Sequence, residues 1–160
     1  MSVRIGVISD THGLLRPDVF HHLEGVERIL HAGDVGPAEL LVELEAVAPV
    51  TAVYGNTDDL ELRERLQEVE RLELGGVRAV LLHGDQLGTP TPEGLARAYP
   101  DADLVVYGHT HRPLIQTVGS TLTLNPGSAG PRRFRLPATL SVLELDDGGP
   151  RAQIIELEGD

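Results

Sequence analysis

Cysteine is absent from the 160-residue chain, so neither a disulfide framework nor a thiolate metal site is available to it. Tryptophan is also absent and aromatic residues make up only 3% of the sequence, which leaves almost no stacking platforms for single-stranded nucleic acid. Positive charge is scarce: 13 basic residues face 25 acidic ones, for a net charge of −12. Such a surface repels long polyanions and anionic membranes, so any chemistry on phosphate must depend on positive charge gathered locally. No apolar run approaches the roughly 20 residues of a membrane helix, and those after Arg4 are too few for a secretory leader. The expectation is a cytoplasmic protein whose partners include no membrane and no nucleic-acid polymer; assembly with copies of itself stays open.

In bulk the remaining composition is ordinary. Hydrophobic residues at 41% and charged residues at 24% suit a soluble globular fold, and the length predicts one domain over residues 1–160 with a sizeable core. Strand-like and helix-like stretches alternate through the first two thirds. Strands are expected at "VRIGVI", "VERIL", "PVTAVY" and "DLVVY". Helices are expected from Pro17 to Leu23, over "PAELLVELEAV", over "LELRERLQEV" and over "TPEGLARAYP". "RLELGGVRAVLL" reads as a hairpin turning at Gly75-Gly76. The last third, with "TLTLN", "ATLSVLELD" and "RAQIIELE", reads as antiparallel strands without helices between them. The pattern predicts mixed sheets, with helices packed against their parallel part.

The informative feature is how the early strands end. "VRIGVI" runs into Asp10 and His12, "RIL" into "HAGD" with Asp34, and "TAVY" into "GN" with Asn56. "AVLL" ends in "HG" with His83, and "LVVY" ends in "GHTH" with His109 and His111. Strand carboxyl ends are where open α/β folds place their chemistry. Gly33, Gly55, Gly84 and Gly108 stand beside these groups and allow the loops to converge closely. Carboxylates, imidazoles and an amide without thiolates suit Mn, Fe, Ni, Zn or Co. Seven groups exceed the four ligands of a tetrahedral zinc but fit two ions that share a ligand. Such a pair is the clamp used in phosphoryl-ester hydrolysis.

This set of motifs resembles the calcineurin-like metallophosphoesterase superfamily, and within it the small bacterial and archaeal phosphodiesterase branch related to the retromer scaffold subunit. The "NPGS" stretch from Asn125 to Ser128 resembles that branch as well. The resemblance implies an α/β fold: a two-sheet β-sandwich of mixed strands flanked by helices, with metals at the strand carboxyl ends. It implies a hydrolase acting on small phosphodiesters by attack of a metal-bound hydroxide, with two divalent transition metals, manganese foremost. Asp10, His12 and His111 would hold one ion, Asn56, His83 and His109 the other, and Asp34 would bridge them. Asp34, Asn56 and His109 count as catalytic. Two carboxylates against two divalent cations leave the site net positive, enough to attract a small diester despite the acidic surface. The alternative is a catalytically weak or inactive scaffold of the same fold that binds protein partners; a nuclease fits the acidic, aromatic-poor composition less well.

Departures from the wider superfamily are specific. Thr57 follows Asn56 where larger relatives carry an acid His, and a Thr hydroxyl is a poor general acid. Asp58 reads as the cap of the helix that follows, with a proton-handling role as the other reading. Asp85 stands where several relatives have His. His31 is either a structural histidine or a partner of the ligands, and His21 and His22 belong to a helix surface. Arg132, Arg133 and Arg135 stand out in an acidic chain, either as a substrate-phosphate contact or as a solvated loop.

Overall fold

The computed structural model describes residues 2–159. Strand β1 (Val3–Ile8) is apolar and buried on both faces from Ile5 onward because both are covered there. Ile5 and Val7 face one way and Ile8 the other, the two-residue period of a strand. A Cβ on Gly6 would sit 2.5 Å from Cδ2 of Leu23, which follows the helix packed above, so the strand and that helix end approach closely there.

β1 pairs in parallel with β2 (Arg28–His31), and β2 with β3 (Val50–Ala52). Its other edge runs antiparallel to β9 (Thr139–Asp146), which pairs with β10 (Gly149–Glu156). The first sheet therefore has the order β10-β9-β1-β2-β3. The second sheet has the order β4-β5-β6-β8-β7. Its strands are β4 (Val69–Leu74), β5 (Val77–Leu82), β6 (Leu104–Val106), β7 (Leu114–Val118) and β8 (Thr121–Asn125). Here β5, β6 and β8 are parallel, while β4 and β7 are antiparallel edges.

Between the sheets lies a core of alternating residues from both: Ile5, Val7, Leu30 and Leu143 from the first, Ala79, Leu81, Leu104 and Val106 from the second. On the outer face of the first sheet, α1 (Pro17–His22), α2 (Glu39–Glu45) and α3 (Leu60–Arg65) bury Val19, Leu40, Leu44 and Leu62 against Ile8, Ile29 and Leu140. On the far side of the second sheet, α4 (Pro92–Ala98) buries Leu95 against Val80, Leu82 and Val105. Prolines open α1 and α4, where the missing N–H is no loss. This is the expected two-sheet α/β sandwich. Among the described residues no helix is long and apolar enough to cross a membrane.

Two local expectations need correction, and one strand was not anticipated. The helix read through "LELRERLQEV" stops at Arg65, because Leu66 is extended and Gln67 bridges Val53 at the edge of the first sheet. "TLTLN" is not purely antiparallel: β8 runs parallel to β6 and antiparallel only to β7. β7 itself carried no strand signal, since Leu114 and Ile115 are both exposed and the alternation that marks a half-buried strand is missing.

Candidate metal centre

Because β1, β2 and β3 are parallel, and β5 and β6 likewise, their carboxyl ends lie on common edges. Beyond those ends the chain turns through left-handed residues. Asp10, His12, Asp34, His109 and His111 have φ between 46° and 74°, and among the described residues the only other non-glycine with positive φ is Phe134. This conformation costs an L-residue about 1–2 kcal/mol. It persists because the loops are tied together: Asp10 N–H donates to Gly33 O (3.0 Å), His12 N–H to Asp34 O (3.0 Å) and Gly108 N–H to His83 O (3.0 Å).

Each carboxylate has one oxygen fixed by the protein and one facing imidazoles. Asp10 Oδ2 accepts from Ser9 Oγ (2.6 Å) and His109 N–H (3.1 Å). Its Oδ1 is buried without a hydrogen-bond partner, 3.3 Å from His111 Nε2 and 3.8 Å from His83 Nε2. Asp34 Oδ1 accepts from Thr57 N–H (2.9 Å), while Oδ2 lies 3.1 Å from His83 Nε2 and 3.8 Å from His12 Nε2. Two groups of ligand atoms result, each within 4.8 Å of one another: Asp10, His12 and His111, and Asp10, Asp34 and His83. Asp10 belongs to both.

The imidazoles are oriented from behind. His83 Nδ1 lies 2.8 Å from Ala32 O, an acceptor only, so Nδ1 carries the proton and Nε2 faces the carboxylates. Burial opposes protonation of His83, but the Asp34 hydrogen bond and the charges of Asp10 and Asp34 prevail, and its pKa is pushed up to about 9. Burial likewise works against ionisation of Asp34, yet the His83 contact and the Thr57 N–H hold its carboxyl well below the usual range. For His12, burial outweighs the attraction of Asp34 and Asp10 and lowers the pKa. His109 Nδ1 sits 3.3 Å from His83 Nε2. Two imidazole lone pairs are not comfortable at such range without a proton or a cation between them. The unpartnered Asp10 Oδ1, together with buried His12 Nε2, fits a cation's donor set.

Residues around the cluster determine its shape. His31 is fully buried: Gly33 N–H donates to its Nδ1 (3.1 Å), so Nε2 carries the proton and donates to Thr11 Oγ1 (3.0 Å), which donates to Val35 O (2.7 Å). That chain ties the Asp10–His12 loop to the Asp34 loop, and burial keeps His31 neutral, with its pKa lowered to about 4. Asp58 is not the helix cap. Asp59 takes that role, accepting from Leu62 N–H (3.2 Å). Asp58 is buried and accepts from Val35 N–H (2.9 Å), Gly36 N–H (3.2 Å) and Gly55 N–H (2.8 Å), clamping the Asp34 loop to the Asn56 loop. The "NPGS" stretch does similar work: Asn125 Nδ2 donates to Gly108 O (3.2 Å) and Ser128 Oγ to Asp10 O (2.8 Å). Ser9 carried no sequence signal at all.

Asn56 is the residue that the structure does not draw inward. It is exposed, and its side-chain amide has no hydrogen bond among the described residues, although Gly55 and Thr57 on either side touch Asp34. Asp85 only opens a short turn, Asp85–Leu87. His22 pairs with Asp18 (3.1 Å) on the surface of α1. Arg132, Arg133 and Arg135 lie on an exposed loop.

The site therefore unites buried carboxylates and imidazoles at strand ends, the outline of a metal-dependent hydrolase. Residues 3–148 match the model of the calcineurin-like phosphoesterase superfamily domain, and the chain belongs to that family. It is similar to a probable metallophosphoesterase of Methanothermobacter thermautotrophicus, 38% identical over 94% of this chain and 91% of that protein. A phosphodiesterase of Methanocaldococcus jannaschii is 27% identical over 96% of this chain and 100% of its own. The fold is shared with vacuolar protein sorting 29 of Cryptosporidium parvum, at TM-score 0.79 and 22% identity over 99% of both chains.

Proposed function

We propose that the protein hydrolyses small phosphodiesters with two divalent transition metals, manganese foremost, held between the two sheets' strand ends. The observation that carries this reading is Asp34 Oδ2, which faces His12 of one ligand set and His83 of the other, beside Asp10 Oδ1 buried without a partner. Asp10, His12 and His111 would hold one ion and His83, His109 and Asn56 the other, with Asp34 reaching both through Oδ2. When bound, such cations lower the pKa of the attacking water and neutralise charge on the phosphoryl oxygens. Asp34 and His109 would lie beside the phosphate, and Asn56, exposed in this structure, would join them by turning its amide inward. Thr57 spends its N–H on Asp34 and offers only a hydroxyl to a departing oxygen, so good leaving groups are favoured.

Elemental analysis after reconstitution with manganese tests the reading. Two equivalents per chain are expected, with Asp34→Asn lowering both occupancies. A wild-type chain that never holds more than one ion overturns the dinuclear arrangement. Hydrolysis of bis-nitrophenyl phosphate by the loaded protein separates an enzyme from a metal-holding scaffold.

A further inference from the structure

Next to the candidate ligands lies a cleft of about 620 Å³, lined by Arg112, Phe134, Arg135 and Leu136. Small-molecule sites typically occupy about 300–1,000 Å³, so the space suits a group the size of a nucleoside. Arg112 directly follows His111, and Arg133 is near enough to His12 for its charge to oppose protonation of that imidazole. The cleft therefore opens beside the segment that carries His111.

Its charge is out of keeping with the rest of the molecule. The 13 basic residues are all arginines, and three of those outside the cleft pair with carboxylates: Arg65 with Glu61 (3.4 Å), Arg78 with Asp103 (3.5 Å) and Arg151 with Glu144 (3.5 Å). Among the described residues, the guanidinium groups of Arg112, Arg133 and Arg135 form no ion pair. Unpaired guanidinium forks are suited to phosphate and other planar acceptors.

Phe134 is equally out of keeping. It is 96% exposed and has φ +57°, whereas a phenyl ring ordinarily seeks the core and an aromatic residue avoids left-handed backbone. The loop that carries it is anchored at its base. Arg16 Nη1 donates to Ala129 O (2.5 Å) and Gly130 O (2.6 Å), and a Cβ on Gly130 would lie 2.3 Å from Thr11 O. The anchor ties the base of the loop to the segment bearing Asp10 and His12, which keeps the ring on the same side of the molecule as the ligands.

We propose that this cleft is a nucleoside subsite: Phe134 stacks on the planar base of one ester arm, and Arg112 and Arg135 bind its acceptor groups, so that nucleoside-bearing diesters are the preferred substrates. This rests on the phosphodiesterase reading above and adds a substrate class to it. An aliphatic arm gains nothing from the ring, whereas base–aromatic stacking is worth about tenfold or more in affinity.

Thymidine 5′-monophosphate and methyl phosphate share a phosphate monoester and differ in the nucleoside. Equilibrium dialysis against manganese-loaded protein is expected to show the thymidine ester binding about tenfold tighter, with the same ratio in competitive inhibition of bis-nitrophenyl phosphate hydrolysis. Phe134→Ala is expected to bring the ratio toward one, Arg135→Ala to lower it, and Phe134→Tyr to keep it. Equal affinity of the two esters for wild type overturns the subsite, as does a ratio unmoved by both alanine variants. A dimer in sedimentation that Phe134→Ala dissolves, with no nucleoside preference, overturns it too and assigns the ring to a second copy of the chain. A wild type that binds the nucleoside but hydrolyses no ester leaves the subsite standing and overturns the enzymatic reading.

Discussion

The two ends of the sheets need the same backbone conformation and meet that need with different residues. At the end where the parallel strands begin, hairpins turn through Gly75-Gly76, Gly119 and Gly149, all at positive φ. Glycine adopts that region without steric cost. At the end where the parallel strands finish, left-handed positions include Asp10, His12, Asp34, His109 and His111. A hairpin only has to reverse the chain, so any residue that bends will serve. The other end has to bend and also present ligating atoms inward, so it accepts strain of about 1–2 kcal/mol per residue. The ladder bonds across the loops, the Asp58 clamp and the His31–Thr11 chain are what hold it there.

The largest expected effect separates the ends by a single methyl group. A Cβ on Gly55 would lie 2.2 Å from Asp34 Oδ1 and 2.5 Å from Asp34 N, whereas one on Gly76 meets nothing within 4 Å. Gly55→Ala is expected to lower manganese occupancy and activity by more than about 100-fold, since losing an outer partner of a ligand already costs 10–100-fold. Gly76→Ala is expected to cost about 1 kcal/mol of left-handed strain and no metal. Equal losses of metal in the two variants would erase the distinction.

Next in size is a pH effect with opposite signs at two histidines, measured by urea unfolding of metal-free protein. His31 titrates near 4 when folded and near 6.5 when unfolded, so the unfolded chain binds more protons between those values. Its stabilising contribution is present above pH 6.5 and lost, by about 3 kcal/mol, as pH falls toward 4. His83 titrates near 9 when folded, so its contribution is present below pH 6.5 and lost as pH rises through 9. Stability of the metal-free protein is expected to peak near pH 6.5. His31→Gln should shrink the acid limb, leaving the share of His12, whose pKa is also lowered, and His83→Gln should flatten the alkaline one; a limb unchanged in its variant sinks the assignment.

Two adjacent acids give a smaller contrast. Asp58→Asn keeps the shape but weakens acceptance of three backbone N–H groups, and metal affinity is expected to fall about 10–100-fold. Asp59→Ala removes a helix cap, with an expected loss of about 1 kcal/mol in stability and unchanged metal titration. Smallest of all is Gly119→Asn in the β7–β8 turn. Asparagine tolerates positive φ, so the melting temperature should move by no more than a few degrees.

Much of this architecture was legible along the chain because it depends on near neighbours. The Gly75-Gly76 hairpin, the proline-led helices and the run of strands ending in polar residues all follow from local sterics and a two-residue period. The six imidazoles and carboxylates named from those ends, Asp10, His12, Asp34, His83, His109 and His111, do gather in one place. Asn56 shows the limit of the pattern: its neighbour Thr57 reaches Asp34 while Asn56 itself is exposed.

Other features were decided only when distant segments met. Leu66 leaves the helix because Gln67 finds Val53 across the sheet edge, and β7 is a strand because β8 lies beside it. Asp58 and Asp59 are chemically identical in the sequence. Two N–H groups from the distant Asp34 loop, added to that of nearby Gly55, make one a clamp, and the other caps the helix locally. His31 is neutral for the same reason, since its burial and both of its partners belong to the assembled loops. What the sequence determined by itself was which side chains stand at strand ends, because alternation and turn sterics act over a few residues. The tertiary structure alone decided which atoms of those side chains face each other, because that depends on hydrogen bonds between loops far apart in the chain.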